Sequence, residues 1–213
     1  LDDQIAESHL AIGRIQLHQD WNIKEAMKSF KRAIEIKPNY PEALVQLGFC
    51  LTHYGRHEEA IQQAKKAISL DKLSIVNLWY AATAPSIAGD FETVLELAYK
   101  IIELDPNNPT GHWIAGRAYS GQGNHDKAIE ALEKGAQLST NLNALVGIEP
   151  PGPGTFSLGN LGIAYGLKGD TLKAKEIIEK IKSYPGYDRG ANYSLVAVYF
   201  SIEDLENVAY YFE

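Results

Sequence analysis

The chain has 213 residues, 45% hydrophobic and 22% charged, a composition typical of globular proteins with enough apolar side chain for a continuous core. Its formal net charge is −7 and it shows no basic stripe, which argues against nucleic-acid binding. Because Cys50 is the single cysteine, an internal disulfide and a thiolate metal cluster within one chain are excluded, while the compartment, cytoplasm or periplasm, stays open.

Three series of positions recur with a spacing of 34 residues, interrupted once by a spacing of 46. The first series is Ala26, Ala60, Val94, Ala128, Ala174 and Val208. The second is Gly48, Ala82, Gly116 and Gly162, and the third is Gly55, Gly89, Gly123 and Gly169. Since the three series share one period and one 12-residue excess, the chain is predicted to be an array of repeats.

Each repeat is predicted to hold two helices, A and B. The glycine of the third series can take the left-handed conformation that closes helix A. Asp90, Asn124 and Asp170 follow such glycines and can cap helix B through their side-chain oxygens. Small residues of the first two series let the two helix axes approach to about 8–10 Å. The predicted repeats are 6–40, 41–74, 75–108, 109–140, 155–188 and 189–213, the last being incomplete.

Residues 107–135, "NNPTGHWIAGRAYSGQGNHDKAIEALEKG", show a small residue, a tyrosine, a Gly-Asn turn and an alanine in the order found in tetratricopeptide repeats. The chain resembles this family over nearly its whole length. The resemblance implies an all-α fold: a single domain, 1–213, forming a right-handed α–α superhelix of about six helix-turn-helix repeats. It implies little about which molecule is bound.

A narrower resemblance rests on residues 20–40, where the first repeat holds one extra residue, and on residues 171–213. Together they are similar to the C-terminal repeat regions of bacterial signalling proteins that carry adenylate-cyclase-type or winged-helix transcriptional activator domains. This resemblance implies that the chain is a regulatory region of a larger protein.

Two features depart from the repeat pattern. Pro85 lies inside the predicted helix A of the third repeat, and its ring clashes with the carbonyl of Ala81, so a kink is expected there. Residues 139–154 form the 12-residue excess and are predicted to be a loop. That loop is either a solvent-side connection or a flap that covers the groove or contacts a partner.

Helices A are expected to line the concave side, where residues 34 apart lie side by side. Trp79 and Trp113 form one such pair, and Arg117 lies one helical turn after Trp113. Clusters of exposed aromatic residues and arginine are typical of binding surfaces. The candidate peptide-binding residues of the groove are Arg14, Phe49, His53, Trp79, Thr83, Trp113, Arg117 and Tyr193. The alternative is that both tryptophans only pack between repeats.

Chemistry-bearing motifs are scarce. His53 and His57 have a spacing used in zinc sites, but Gly55 interrupts the helix between them, so a metal site is not expected. Ser120 and Ser157 lack a plausible base nearby, and no glycine-rich phosphate loop occurs. We therefore predict a noncatalytic protein without cofactor or metal.

The leading hypothesis is a protein-interaction scaffold that binds a peptide or protein segment in its groove. Two alternatives remain: a regulatory repeat region of a larger signalling protein, and a self-association module that forms a homo-oligomer through the C-terminal helix. No run of 18 apolar residues occurs, so no membrane contact is expected from this segment.

Overall fold

The computed structural model describes residues 5–145, 154–183 and 189–212, and every regular element within these ranges is a helix. The helices are α1 (Ala6–His18), α2 (Ile23–Ile36), α3 (Pro41–His53), α4 (His57–Leu70), α5 (Ile75–Ala81), α6 (Thr83–Ala88), α7 (Phe91–Leu104), α8 (Pro109–Gly121), α9 (His125–Leu145), α10 (Gly154–Lys168), α11 (Thr171–Lys182), α12 (Arg189–Ser201) and α13 (Leu205–Phe212). The prediction of an all-α repeat fold is confirmed. The chain divides into two compact units, Leu1–Leu97 and Ala98–Glu213, called here the N-terminal and C-terminal units.

In the N-terminal unit, α1 pairs with α2 and α3 pairs with α4. Its core is built on the buried faces of these helices, with Leu17, Phe30, Ala33 and Cys50 fully buried. Gly13 lets α1 approach α2, because a Cβ atom there would lie 2.5 Å from Cε1 of Phe30. Close helix pairing at a small residue is therefore what encloses the phenylalanine ring.

Helix A of the third repeat is broken, as the position of Pro85 predicts. α5 ends at Ala81 and α6 begins at Thr83, with Ala82 as a turn between them. Pro85 has no N–H to donate to the carbonyl of Ala81, so the helical hydrogen bonding is interrupted one turn before the proline. Pro85 itself is buried.

In the C-terminal unit, α8 pairs with α9, and α10 packs against α9, α11 and α12. Gly116 is the contact point of the first pair, since a Cβ atom there would lie 2.4 Å from Cγ of Leu132. The predicted caps also form, because Asn124 and Asp170 accept hydrogen bonds from the backbone N–H of Lys127 (3.3 Å) and Lys173 (3.1 Å).

The predicted loop at 139–154 is wrong for its first seven residues. α9 continues to Leu145, and the Thr140 hydroxyl donates a 3.0 Å hydrogen bond to the carbonyl of Ala136. Leu138 and Ser139 are buried, so the helix still faces the core where the predicted loop would begin. The loop prediction is also wrong at Gly154, which begins α10. Residues 146–153 lie outside the described ranges, so the choice between a solvent-side connection and a flap stays a prediction.

The turn after helix A has a left-handed backbone in all six repeats. The predicted glycines have φ values of 70°, 78°, 75° and 87° in chain order, and Trp21 (51°) and Glu203 (60°) complete the series. Trp21 lies 34 residues before Gly55, and Glu203 lies 34 residues after Gly169. Two repeats therefore hold a side chain in a conformation that costs about 1–2 kcal/mol for residues other than glycine.

Replacing Trp21 separates this conformational cost from the contacts of the indole. Trp21→Gly and Trp21→Ala both remove the ring, but only glycine relieves the left-handed backbone, so we expect the glycine variant to be more stable by about 1 kcal/mol. Urea unfolding followed by circular dichroism measures the difference. The pair Glu203→Gly and Glu203→Ala should differ in the same direction, and equal stabilities in both pairs would contradict the strain.

Within the described ranges, no helix is long and apolar enough to cross a bilayer.

Candidate functional site

Five aromatic side chains form a connected surface on the N-terminal unit: Trp21, Phe49, His53, Trp79 and Tyr80, named here the aromatic face. The Phe49 ring meets His53 at 4.6 Å and Tyr80 at 5.6 Å between centroids, each edge to face. Trp79 meets Tyr80 at 4.6 Å, and Trp21 meets His53 at 6.0 Å, again edge to face. This geometry is the favourable one for aromatic pairs, so the rings hold one another in place.

The two tryptophans of the aromatic face are accessible. Trp21 is 62% exposed and Trp79 is 39% exposed, whereas Phe49 and Tyr80 are half-buried. The Tyr80 hydroxyl lies 3.5 Å from Nε2 of His18 at the end of α1. Clustered apolar rings that remain accessible to solvent are typical of binding surfaces.

Of the predicted groove residues in this unit, the structure brings Phe49, His53 and Trp79 into one cluster through Tyr80. Arg14 is exposed on α1 and Thr83 is half-buried on α6. Sequence reasoning missed Trp21 and Tyr80. The 34-residue step from Trp21 to Gly55 could have placed Trp21 at a turn beside helix A, whereas nothing in the spacing singles out Tyr80.

Trp113, in the C-terminal unit, is largely a packing residue. Its ring meets Phe156 edge to face at 5.7 Å, and Gly135 makes room for it, since a Cβ atom there would lie 2.5 Å from Cδ1 of the indole. Its indole nitrogen is buried and has no hydrogen-bond partner among the described residues. Trp113 also packs against the core of this unit.

The other two predicted residues of the C-terminal unit are accessible to solvent. Arg117, one turn after Trp113 on α8, is exposed, and desolvation by surrounding protein lowers the pKa of its guanidinium. Tyr193 on α12 is 78% exposed. These side chains offer a cation and an aromatic ring on separate helices.

The candidate catalytic residues do not form a reactive arrangement. His53 ends α3 and His57 begins α4, with Gly55 in the left-handed turn between them. Among the described residues no group of three or more His, Cys, Asp or Glu side chains could hold a metal ion. Ser157 is fully buried and its hydroxyl has no partner in that part of the chain.

Two sequence profiles described as tetratricopeptide repeat match residues 17–74 and 111–141. Both matches include a helix A, a left-handed turn and a helix B as the structure has them. The chain therefore contains tetratricopeptide repeats at residues 17–74 and 111–141.

Several solved structures share this fold, and the first of them is described as a thermophilic tetratricopeptide repeat protein. TTC0263 from Thermus thermophilus is 18% identical, with a TM-score of 0.74 over 92% of this chain and 99% of that one. PilF from Pseudomonas aeruginosa is 16% identical, with a TM-score of 0.67 over 98% and 89%. MamA from Desulfovibrio magneticus is 21% identical, with a TM-score of 0.59 over 84% and 93%. Among curated protein sequences, no significant relative is found.

The tetratricopeptide repeat fold supports a general role as a scaffold for protein–protein interaction. Repeat proteins of this family are generally not enzymes. Because functional sites vary independently of the repeat framework, the surface that binds a partner must be argued from the side chains of this chain.

Proposed function

We propose that this tetratricopeptide repeat protein binds a peptide segment of a partner protein on the aromatic face of its N-terminal unit. The observation that carries the proposal is the accessibility of Trp21 and Trp79 at the edges of a cluster of contacting rings. Tryptophan and tyrosine supply large contact area with few rotatable bonds, and they are enriched at positions that dominate binding energy.

The backbone at Trp21 supports the same proposal. A tryptophan occupies a left-handed turn position where four other repeats have glycine, and more than half of its surface is exposed. Its one ring contact on the aromatic face is with His53, at 6.0 Å between centroids. A strained backbone that presents an exposed ring is a recurrent property of binding sites.

The three tryptophans make the proposal testable by nuclear magnetic resonance, because the chain gives three indole N–H signals. Peptides of 12 residues are selected from a random phage library against the full chain and then titrated into it. We expect the indole signals of Trp21 and Trp79 to shift, and that of Trp113, which packs in the C-terminal unit, to stay in place.

Trp79→Ala should weaken binding of the selected peptides by at least tenfold, because truncating a central aromatic contact commonly costs about 2 kcal/mol. Tyr210→Ala on α13 removes a ring that is even more accessible, 73% exposed against 39% for Trp79, and should leave the affinity unchanged. Unchanged affinity in a folded Trp79→Ala protein, or a library that yields no binder, would refute the aromatic face as the site.

Arg117 and Tyr193 are proposed as peptide contacts of the C-terminal unit by itself, since both are exposed. Arg117→Ala should then lower the affinity of peptides that carry a carboxylate and leave that of neutral peptides unchanged. Trp113→Ala, by contrast, is expected to act mainly on stability.

Self-association through the C-terminal helix is a second candidate function. Leu205 (63% exposed) and Tyr210 (73%) leave apolar surface on α13 uncovered. Sedimentation velocity over a range of concentrations decides it, because a self-associating chain sediments faster as concentration rises and Tyr210→Glu should abolish that change. A regulatory role within a larger signalling protein remains a prediction of the narrower sequence resemblance.

A further inference from the structure

A second surface of the N-terminal unit has a different chemistry from the aromatic face. It is a groove of about 540 Å³ lined by Lys24, Met27, Lys28 and Lys31 of α2 and by Tyr54 and Arg56 of the turn that joins α3 to α4. None of these residues belongs to the aromatic face. The groove forms where the outer surface of α2 meets the end of the next repeat's helix A, since α2 packs against α3.

The charge of this groove is opposite to that of the whole chain. Lys28 pairs with Glu25 at 2.8 Å, and Arg56 pairs with Glu59 through two 2.6 Å hydrogen bonds. Lys24 and Lys31 form no ion pair within the described residues, although the pKa of the Glu59 carboxyl is lowered by its hydrogen bond to Arg56 and, to a smaller extent, by the charge of Lys31. Four cations against two carboxylates leave a local charge of +2 on a protein whose net charge is −7.

The arrangement of the cations matches a short anionic segment. Positions 24, 28 and 31 are separated by four and three residues, which places their side chains along one side of α2. Met27, half-buried between them, and the exposed ring of Tyr54 provide apolar surface beside the charges. A methionine adapts its shape to varied apolar side chains.

We propose that this groove binds an acidic segment of a partner protein. Carboxylates of the segment pair with Lys24 and Lys31, and an apolar side chain of the segment lies on Met27 and Tyr54. A nucleic acid fits less well, because it needs a continuous track of cations along many phosphates and is repelled by the overall negative charge.

Met27 gives a direct probe, since it is the single methionine of the sequence. Protein labelled with ¹³C at the methionine methyl group is titrated with a 12-residue peptide of eight glutamates and four leucines, and the Met27 signal is assigned by its loss in Met27→Leu. We expect a saturable shift of this signal that weakens as salt is raised. The same peptide with glutamine in place of glutamate should produce no shift.

Two pairs of lysine-to-glutamate substitutions test whether the acidic peptide binds at this groove. Lys24→Glu combined with Lys31→Glu should weaken peptide binding at least tenfold. Lys175→Glu combined with Lys180→Glu makes the same charge change at exposed positions of α11 and should change the affinity less than twofold. Trp79→Ala should bind the acidic peptide as the wild type does. The proposal for this groove and the proposal for the aromatic face can therefore be refuted independently of each other.

Several results would overturn the proposal. One is the absence of a Met27 shift at 1 mM peptide, and another is an equal loss of affinity in both charge variants. The third is a shift confined to the Trp79 indole. The fourth is displacement of the peptide by a 12-nucleotide oligothymidine, which would assign the groove to nucleic acid. The fifth is a free protein that sediments as a dimer and becomes a monomer when Lys24→Glu and Lys31→Glu are introduced. That result would assign the groove to a second copy of this chain.

Discussion

Phe30→Ala is expected to lower the free energy of unfolding by about 3–5 kcal/mol, the range found for removing a buried aromatic side chain. The Phe30 ring is fully buried in the core of the N-terminal unit and lies against Gly13 of α1. Its loss removes apolar contacts and leaves a cavity that the paired helices cannot close without moving. Urea unfolding followed by circular dichroism measures the loss, with Phe200→Ala, at a 66% exposed phenylalanine, as the matched control.

A double-mutant cycle with Gly13 tests whether the packing of the Phe30 ring against α1 is the cause of this stabilisation. Gly13→Ala alone should be destabilising, because its Cβ atom would lie 2.5 Å and 2.7 Å from two carbons of the Phe30 ring. In a Phe30→Leu background that ring is gone, and the same alanine should be tolerated or stabilising because alanine favours helix over glycine. We expect the cycle to give a coupling free energy of about 1 kcal/mol or more, with the double variant more stable than the sum of the two single effects predicts. Additive effects would mean that the two residues do not constrain each other.

The turns show why the repeat framework could be predicted from the sequence. A left-handed backbone is easiest for glycine, so Gly55, Gly89 and the two later turn glycines revealed the period and the helix ends. The same reasoning missed Trp21 and Glu203. A left-handed turn cannot be recognised from residue type where the protein tolerates the conformational free energy of a residue other than glycine. The end of α9 was missed for a related reason: threonine and asparagine favour turns, but here they follow the buried Leu138 and Ser139 and continue the helix.

The candidate site was less predictable than the fold. A 34-residue spacing makes Trp79 and Trp113 equivalent in sequence, but it does not determine how deeply each ring is buried. Trp113 packs inward because Gly135 leaves space on α9, which is a property of one neighbour rather than of the repeat. Tyr80 joins the aromatic face although its neighbour Trp79 was the candidate, since both adjacent side chains of α5 lie at the surface.

The thiol of Cys50 is expected to react with iodoacetamide at least ~1,000-fold more slowly in the native protein than in the urea-unfolded chain at pH 8. Cys50 is fully buried, and burial raises the pKa of its thiol to about 12. Only the thiolate reacts, so the native protein must open before labelling, and a 1,000-fold protection corresponds to an opening free energy of about 4 kcal/mol. Because the sequence has one cysteine, the mass of the single adduct measures the rate without ambiguity.

The raised pKa of the Cys50 thiol also predicts how the stability of the fold depends on pH. The folded state holds the Cys50 proton more tightly than the unfolded state, so this thiol stabilises the fold fully below its ordinary pKa of 9.0, and that contribution is lost as the pH rises toward 12.

Phe30→Ala should accelerate native labelling strongly, since Phe30 and Cys50 share one core. Ile181→Ala should accelerate it much less, because Ile181 packs within the C-terminal unit. Equal acceleration would show that Cys50 is exposed only by unfolding of the whole chain, whereas labelling within seconds in the wild type would contradict its burial.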